Sequence, residues 1–291
     1  WCQFIYFGFI MIYRVLVKKR TSLLALLLFA IQAPIVAENI TTKIVEKVSG
    51  SVVIIKAYSE EHGISQGSGV LIHDGKTIVT NLHVVQHATK VTVEFPDGRR
   101  FRSKGYLAVD PDKDLITIRL PKKINKVAPV IIAKLDGLLR GDKVVAIGSP
   151  RGLSNTISEG NVSGIRELDS TTMLIQITAP VSSGSSGGGL FNEDAKLIGI
   201  TSFLHIGGQN LNFAFPAEYI IPLLKEVKPI PFYQLKRFNL NTKSIPNVFI
   251  TKSGRKYHSS NCRFLKRSKI AIGIVEARDR GFRPCSVCVN Y

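Results

Sequence analysis

Residues 184–190 read Gly-Ser-Ser-Gly-Gly-Gly-Leu, and two earlier stretches complete a pattern with them. Residues 80–85 read Thr-Asn-Leu-His-Val-Val, and residues 110–115 read Asp-Pro-Asp-Lys-Asp-Leu. In chain order they supply an imidazole, a carboxylate and a hydroxyl, each beside apolar sequence typical of strands. A serine hydroxyl is a poor nucleophile at neutral pH unless an imidazole accepts its proton and a third group orients that imidazole. Together the three stretches predict nucleophilic catalysis by serine.

Short β-branched runs surround these stretches and predict an all-β fold. Turn residues such as Pro-Asp-Gly at 96–98 separate the runs, which fall into two sets of about six. Many short strands with few helical patterns are typical of barrels and sandwiches. The chain order His, Asp, Ser is the one used on chymotrypsin-type double barrels. We therefore expect two six-stranded antiparallel β-barrels, with His83 and Asp114 in the first and Ser186 in the second.

The first 37 residues predict an export segment. Basic residues cluster at 14–20, and an apolar run too short to span a bilayer comfortably follows at 23–31. Residues 33–37, Ala-Pro-Ile-Val-Ala, then offer a cleavage site. We expect a cleaved signal peptide and a periplasmic or secreted protein; an uncleaved segment would instead anchor the chain in the membrane.

The formal net charge of the chain is +18, and +14 remains without residues 1–37. A hydrophobic content of 45% with 21% charged residues is ordinary for a globular protein and argues against general disorder. A surface this basic attracts anionic partners such as an envelope polymer or nucleic acid. Scattered lysines that serve only solubility are an equal alternative.

Four ordered stretches resemble the HtrA/DegP family of trypsin-fold serine proteases. Gly-Ser-Gly-Val-Leu-Ile at 67–72, followed by residues 78–85, resembles the histidine region of that family. Residues 110–120 resemble its aspartate region, and residues 141–153 resemble the start of its second barrel. The resemblance covers residues 40–222. It implies an endopeptidase that cleaves unfolded or exposed protein segments through an acyl-enzyme, a role in protein quality control, and a homo-oligomer, since the family forms trimers.

The same resemblance assigns the site residues. It makes Ser186 the nucleophile, His83 the general base and then the general acid, and Asp114 the orienting acid. The backbone N–H groups of Gly184 and Ser186 would form the oxyanion hole. Glycines around Ser186 suit that role, because donors aimed at a developing oxyanion need a tight turn without β-carbons in the way. No cofactor is expected for catalysis.

Two positions depart from the family pattern, and two segments bear on specificity. Ser185 stands where the family usually has Asn, and Gly189 where it usually has Pro. Gly189 adds backbone freedom, which leaves room for a turn that needs activation. Residues 177–181 and 200–202 are expected to wall the primary specificity pocket. They contain no Asp, so we expect cleavage after small aliphatic residues rather than after Lys or Arg.

The C-terminal segment predicts a structural zinc site made of His258, Cys262, Cys285 and Cys288. A Cys-x2-Cys knuckle and a His-x3-Cys pair can close a tetrahedral Cys3His site. A module this short builds little core, and a structural metal commonly makes up the deficit. The alternative is a disulfide, between Cys285 and Cys288 or between Cys262 and Cys285, which leaves one thiol over.

Residues 251–285 also resemble the small Ada-like zinc modules found on some nucleases and exported proteins, which implies metal binding. Within the module we expect a hairpin at 248–258 and a helix at 272–279. Its basic residues would suit phosphate contacts, so nucleic-acid binding is an alternative main function.

Four segments are therefore expected along the chain. Residues 1–37 are a signal peptide or N-terminal anchor, 38–227 a trypsin-like serine protease domain, 228–246 a linker, and 247–291 a zinc-stabilised α+β module. A further alternative is a catalytically idle barrel that binds peptide or envelope polymer.

Overall fold

The computed structural model describes residues 39–149, 155–169, 171–182, 184–202, 212–237, 247–273, 277 and 280–288. Residues 1–37, where the signal peptide or anchor is expected, lie outside these ranges. No helix within the described ranges combines the length and apolarity needed to cross a bilayer.

The first sheet consists of seven short strands in the order β5-β4-β1-β2-β3-β7-β6, all paired antiparallel. The amphipathic helix α1 (Ile40–Val48) precedes it, and β3 runs directly into the one-turn helix α2 (Leu82–Val85). The strands are β1 (Val52–Ser59), β2 (Gly63–Ile72), β3 (Thr77–Asn81), β4 (Lys90–Glu94), β5 (Arg100–Arg102), β6 (Gly105–Asp110) and β7 (Leu115–Arg119).

This sheet differs in detail from the expected six-stranded barrel. It has one more strand, and its edge strands β5 and β6 do not pair with each other, so it is a half-barrel. Strand β5 has only three residues, two of them exposed arginines, a pattern that is locally typical of a loop. Gly98, at φ +84°, permits the turn that returns the chain from β4 to β5.

The second sheet is a closed six-stranded barrel, as predicted, in the order β10-β13-β12-β11-β8-β9. Small and branched side chains such as Val144, Ile175 and Ala214 fill its interior. The strands are β8 (Lys143–Gly148), β9 (Thr156–Asp169), β10 (Thr172–Ile177), β11 (Gly189–Phe191), β12 (Leu197–Ser202) and β13 (Asn212–Pro216).

A shared apolar layer holds the two sheets together. From the first sheet it contains Val52, Ile72 and Val79, and α1 adds Ile44 and Val48. The second barrel contributes Val145, Phe191, Leu197 and Ile200. Each such side chain stabilises the fold by about 1.5–3 kcal/mol on burial, so this layer strongly constrains how the strand ends of the two sheets meet.

The chain leaves the second barrel through irregular helical turns. A helix is expected at 217–227, but the structure has a 3-10 helix at Ala217–Leu224, with Pro222 inside it. Proline lacks the N–H that an α-helix needs at this position. Residues 228–237, within the expected linker, pack onto the first sheet: Ile230 pairs with Tyr106, and the 3-10 helix Phe232–Arg237 buries Phe232.

The C-terminal module contains two small sheets. Strand β14 (Asn247–Ile250) pairs antiparallel with β16 (Ile270–Gly273), and β15 (Lys256–Tyr257) pairs parallel with β17 (Arg283–Pro284). The expected hairpin at 248–258 is reduced to one bridge between Phe249 and His258. The predicted helix at 272–279 is wrong at its start, because Ile272 and Gly273 belong to β16. Of its remaining residues only Ala277, which is helical, is described.

The module packs on the second barrel through a buried cluster. Tyr257, Val248 and Ile272 of the module meet Leu174 and Phe213 of β10 and β13. Ile272 is buried against the barrel, whereas Ile270 is 42% exposed. Residues 270–273 form a strand because they pair with β14, which explains why the helix does not begin at 272.

Candidate active site

His83 and Asp114 meet where β3 and β7 run side by side. Asn81, the last residue of β3, pairs with Leu115, the first residue of β7. His83 therefore lies just beyond one strand and Asp114 just before its neighbour. The Nδ1 atom of His83 is 2.6 Å from Oδ2 of Asp114, and the backbone N–H of His83 donates to Oδ1 at 2.9 Å.

The backbone of Asp114 adopts an uncommon conformation that serves this contact. Its φ is +50°, in the left-handed region, where Asp is among the better tolerated residues. Its carbonyl oxygen accepts the backbone N–H of Leu82 at 2.9 Å and the side-chain amide of Asn81 at 3.0 Å. These bonds offset a backbone strain of about 1 kcal/mol. Asp110, by contrast, pairs with Lys113 and not with His83.

The two side chains of this pair differ in exposure. The side chain of His83 is 32% exposed, whereas that of Asp114 is 18% exposed. The carboxylate is thus the more shielded of the two groups, and part of the imidazole reaches the surface. Proton transfer to and from a bound molecule requires such an accessible imidazole.

Ser186 lies in a tight turn between the second barrel and the first sheet. The N–H of Ser68 in β2 donates to the carbonyl oxygen of Ser186 at 2.8 Å. Gly187 has φ +86°, and a β-carbon there would lie 2.2 Å from the carbonyl oxygen of Ser68. Only glycine fits at this position, which explains part of the glycine run.

One residue, Gly67, links the two halves of the candidate site. A β-carbon placed on it would lie 2.7 Å from Cγ2 of Val84 and 3.1 Å from the carbonyl oxygen of Ser186. The residue after His83 and the main chain of Ser186 therefore both lie close to the same position of β2. The structure thus brings His83 and Asp114 into direct contact and places the main chain of Ser186 near the residue that follows His83.

The turn at 184–188 is closed by backbone hydrogen bonds. Gly184 has φ +90°. The N–H of Ser185 donates to the carbonyl of Ser182, and the N–H of Gly188 donates to the carbonyl of Ser185, both at 2.9 Å. Gly189 does not act as a hinge, because it starts β11 and pairs with Ile147 and Ile200 on its two sides.

The segments expected to wall a specificity pocket are mostly buried. Ile177, Ala179 and Ile200 are fully buried in the apolar clusters of the fold. The hydroxyl of Ser202 is buried and has no partner among the described atoms. Residues 203–211, which follow Ser202 in the chain, lie outside the described ranges. The residues of these two segments carry no acidic side chain.

The four predicted metal ligands converge in the C-terminal module. The Nδ1 atom of His258 and the Sγ atoms of Cys262, Cys285 and Cys288 all lie within 4.8 Å of one another. Thiolates bound to one zinc ion at about 2.3 Å lie about 3.8 Å apart at the corners of a tetrahedron. None of the three cysteines forms a disulfide. Burial, and after it the charge of Lys256, lower the pKa of His258, which favours the neutral imidazole.

Main-chain contacts fix the positions of these ligands. The N–H of Cys285 donates to the carbonyl of Tyr257 at 3.0 Å, and the N–H of Cys288 closes the knuckle on the carbonyl of Cys285 at 3.3 Å. His258 exchanges two backbone hydrogen bonds of 2.8 Å with Phe249. The donor set and its spacing therefore fit a closed four-coordinate site.

Residues 67–200 match the family model described as a trypsin-like peptidase domain. This part of the chain is similar to a trypsin-like peptidase domain. The matched region contains His83, Asp114 and Ser186, and the Cys/His cluster lies outside it.

Proteins with similar sequences match more than half of this chain but less than half of their own length. The chain is 29% identical over 206 residues to the anti-sigma-I factor RsgI9 of Acetivibrio thermocellus, and this aligned region covers 70% of this chain and 29% of that protein. It is 37% identical over 182 residues to the periplasmic serine endoprotease DegP of Escherichia coli, and this aligned region covers 60% of this chain and 38% of DegP. The chain spans between 29% and 41% of the length of the curated relatives it matches.

A solved structure of an HtrA-type protease is also similar to this chain. The HtrA-type protease AlgW, determined with a tripeptide, superposes with a TM-score of 0.57 at 26% identity, over 64% of this chain and 62% of AlgW. The superposition agrees with the observed half-barrel and closed barrel.

Sequence reasoning did not single out two residues that contact the turn of Ser186. Ser68 lies inside the quoted 67–72 motif, and Thr201 lies in the expected pocket wall. Both hydroxyls contact carbonyl oxygens of the turn. A buried polar residue within an apolar strand was the available signal for both.

Proposed function

We propose that the chain is a serine endopeptidase of the HtrA/DegP type, with Ser186 as nucleophile, His83 as general base and acid, and Asp114 as orienting acid. The observation that carries the proposal is the doubly hydrogen-bonded contact between His83 and the Asp114 carboxylate, located in a trypsin-like peptidase domain.

The proposed reaction follows from this contact. Asp114 accepts the Nδ1 proton of His83, so Nε2 carries the lone pair. Nε2 takes the hydroxyl proton of Ser186 as Oγ attacks the substrate carbonyl, and the N–H groups of Gly184 and Ser186 stabilise the oxyanion. One such donor is typically worth about 2.7–4 kcal/mol in the transition state. Protonated His83 then protonates the leaving amine, and water repeats the sequence to release the acyl group.

The proposed substrates are unfolded or exposed protein segments cleaved after small aliphatic residues. The name of the DegP relative, an endoprotease, supports a polypeptide substrate. The absence of acidic side chains from the described pocket walls supports apolar rather than basic residues at the cleavage site. Export is proposed as well, because DegP is periplasmic and residues 14–37 have the composition of a signal. A homo-oligomer is proposed by analogy with the family.

Cleavage of casein by residues 38–291 tests the proposal. Ser186→Ala should abolish cleavage and labelling by a fluorophosphonate. Ser185→Ala is the matched control, because it removes a neighbouring hydroxyl from the same turn, and it should retain both. A wild-type protein that is inert and unlabelled would favour a barrel that only binds polypeptide.

We further propose that the Cys/His cluster holds a structural Zn2+ ion. The support is the closed set of three thiols and one imidazole, three of the four residues being buried. With all four positions filled by protein, such an ion would leave no open position for substrate. His258, Cys262, Cys285 and Cys288 would hold it, and its role would be to stabilise the module.

Metal analysis of the purified protein tests this site. About one zinc ion per chain is expected, released on titration of the thiols. Cys288→Ser should lose the zinc, whereas Ser286→Ala, in the same knuckle, should keep it. Full zinc content in Cys288→Ser, or a disulfide in the wild type, would contradict the proposal.

A further inference from the structure

The turn that carries Ser186 is braced from inside by two buried hydroxyl groups, those of Ser68 and Thr201. Ser68 belongs to β2 of the first sheet and is fully buried, and Thr201 belongs to β12 of the second barrel and is 1% exposed. Neither can reach a substrate. Their shared target is the main chain at 184–188, which they approach from different sheets.

Ser68 holds two carbonyl groups of the turn. Its Oγ–H donates to the carbonyl oxygen of Gly184 at 2.8 Å, and its N–H donates to the carbonyl oxygen of Ser186 at 2.8 Å. The same Oγ accepts the N–H of Ser149 at 2.8 Å. Because Ser149 occupies a lone pair, the hydroxyl proton of Ser68 is directed toward Gly184.

Thr201 holds the carbonyl group of Ser185, which lies between those of Gly184 and Ser186 in the chain. Its Oγ1 lies 2.9 Å from the carbonyl oxygen of Ser185 and 3.2 Å from that of Gly188. Its backbone also exchanges hydrogen bonds with Gly187 and Gly188, at 2.8 and 2.9 Å. Three consecutive carbonyl groups, of residues 184, 185 and 186, are therefore held by the surrounding strands.

These contacts determine where the N–H of Ser186 points. In a trans peptide the N–H of a residue points opposite to the carbonyl of the residue before it. Since Thr201 holds the carbonyl of Ser185, the N–H of Ser186 points away from Thr201. The two hydrogen bonds from Ser68 fix the peptide plane between residues 184 and 185 and the one between residues 186 and 187. The peptide plane between residues 185 and 186 therefore cannot rotate without breaking at least one of the hydrogen bonds from Ser68 or Thr201.

We propose that the hydroxyl groups of Ser68 and Thr201 are positioning groups for the oxyanion hole. This role rests on the proposed function, since it concerns how Ser186 presents its N–H group, one of the two proposed oxyanion donors, to an acyl intermediate. The glycines at 184, 187 and 188 give the turn wide conformational freedom. The two hydroxyls restrict that freedom at the 184–185 and 185–186 peptides, the second of which carries the N–H of Ser186.

The test compares Ser68→Ala and Thr201→Val with the wild type on a fluorogenic peptide. Each variant should lower kcat by about 10- to 100-fold, less than the loss of about 100- to 1,000-fold expected when a donor itself is removed. KM should change by no more than about twofold, because the loss falls on the transition state. Affinity for a peptide boronate, which mimics the tetrahedral intermediate, should fall in parallel with kcat/KM.

Ser149→Ala is the matched control. The hydroxyl of Ser149 is buried and has no partner among the described atoms. The substitution removes that hydroxyl but keeps the backbone N–H that donates to Ser68. It should leave kcat and boronate affinity unchanged. An equal loss in Ser149→Ala, or unchanged kcat and boronate affinity in the other two variants, would overturn the positioning role.

Two further outcomes are separable. If Ser68→Ala does not fold, Thr201→Val decides, because valine keeps the shape of threonine. A wild-type protein that neither cleaves the peptide nor reacts with a fluorophosphonate overturns the proposed function itself, and this role with it, before any variant is compared.

Discussion

At the scale of single residues, Asp114 organises the histidine side of the candidate site. It accepts four hydrogen bonds from three consecutive residues, Asn81, Leu82 and His83. Two reach its carboxylate and two reach its carbonyl oxygen. One residue in an unusual backbone conformation thus positions both the start of α2 and the ring of His83.

Substituting Asp114 by Asn tests this arrangement. The amide can keep one acceptor for the backbone N–H of His83, but its NH2 group then faces Nδ1 and favours the wrong imidazole tautomer. We expect kcat to fall by about 1,000- to 10,000-fold at pH 7, as such a change does in well-studied serine proteases. Steady-state kinetics on a fluorogenic peptide measure the loss. Asp110→Asn, which disturbs only the pair with Lys113, should stay within a few-fold of the wild type. A loss below tenfold in Asp114→Asn would contradict the assigned role.

At the scale of elements, the hairpin between β2 and β3 has its own anchor. Asp74 in the turn accepts the N–H of Lys76 at 2.8 Å and the hydroxyl of Thr77 at 3.0 Å, and it pairs with Arg119 at the end of β7. Burial alone would raise the pKa of Asp74, but the hydrogen bonds from Lys76, Arg119 and Thr77 outweigh it and lower that pKa below 3.8. The charged form is therefore the one that the fold stabilises.

The pH dependence of stability follows from that direction. Because the pKa is lower in the folded state, Asp74 contributes stability above its unfolded pKa and loses it as the pH falls through the folded pKa. Asp74→Asn should lower the free energy of unfolding by about 1 kcal/mol at pH 7, and the difference from wild type should shrink as the pH falls below the ordinary Asp pKa of about 3.9. Urea unfolding at pH 7 and pH 3 measures both values. A difference that is the same at both pH values would show that the charge of Asp74 contributes nothing.

At the scale of the whole molecule, the C-terminal module is part of the wall of the second barrel. Its strands β14 and β16 cover Leu174, Phe213 and Phe215, side chains that face away from the barrel interior cluster. Two of the proposed zinc ligands, Cys262 and Cys285, form a small separate cluster with Leu265 in the same module. Zinc would hold the module in shape, and the module in turn would cover the barrel.

Removal of the metal should therefore destabilise the barrel as well as the module. We expect a zinc chelator to lower the Tm of the single main transition by at least about 4 °C, corresponding to one or two kcal/mol for a chain of this size. Differential scanning calorimetry with and without chelator provides the measurement. The Cys285→Ser variant should start from the lower Tm and show no further response to the chelator. An unchanged Tm after complete zinc release would separate the module from the barrel.

Local sequence predicted secondary structure correctly where neighbouring residues alone determine it. β-Branched alternation and Gly or Asp turns predicted most strands of both sheets, because side-chain direction along a strand depends only on neighbouring residues. Prediction from local sequence failed where pairing with another segment determines the secondary structure. Residues 272–273 form a strand because β14, more than 20 residues away, offers an edge to pair with. Arg100–Arg102 were missed for a different reason: they pair with the nearby β4, but their own side chains have no strand pattern.

By itself the sequence determined the double-sheet fold, the choice of Asp114 over Asp110 through the resemblance, and the four side chains of the metal cluster. These depend on residue types, order and spacing, which are written in the chain. Only the tertiary structure decided that the first sheet remains an open half-barrel, that the C-terminal module covers the second barrel, and that Ser68 and Thr201 hold the turn of Ser186. Each of these depends on hydrogen bonds and apolar contacts between segments far apart in the chain, and no local pattern encodes such a meeting.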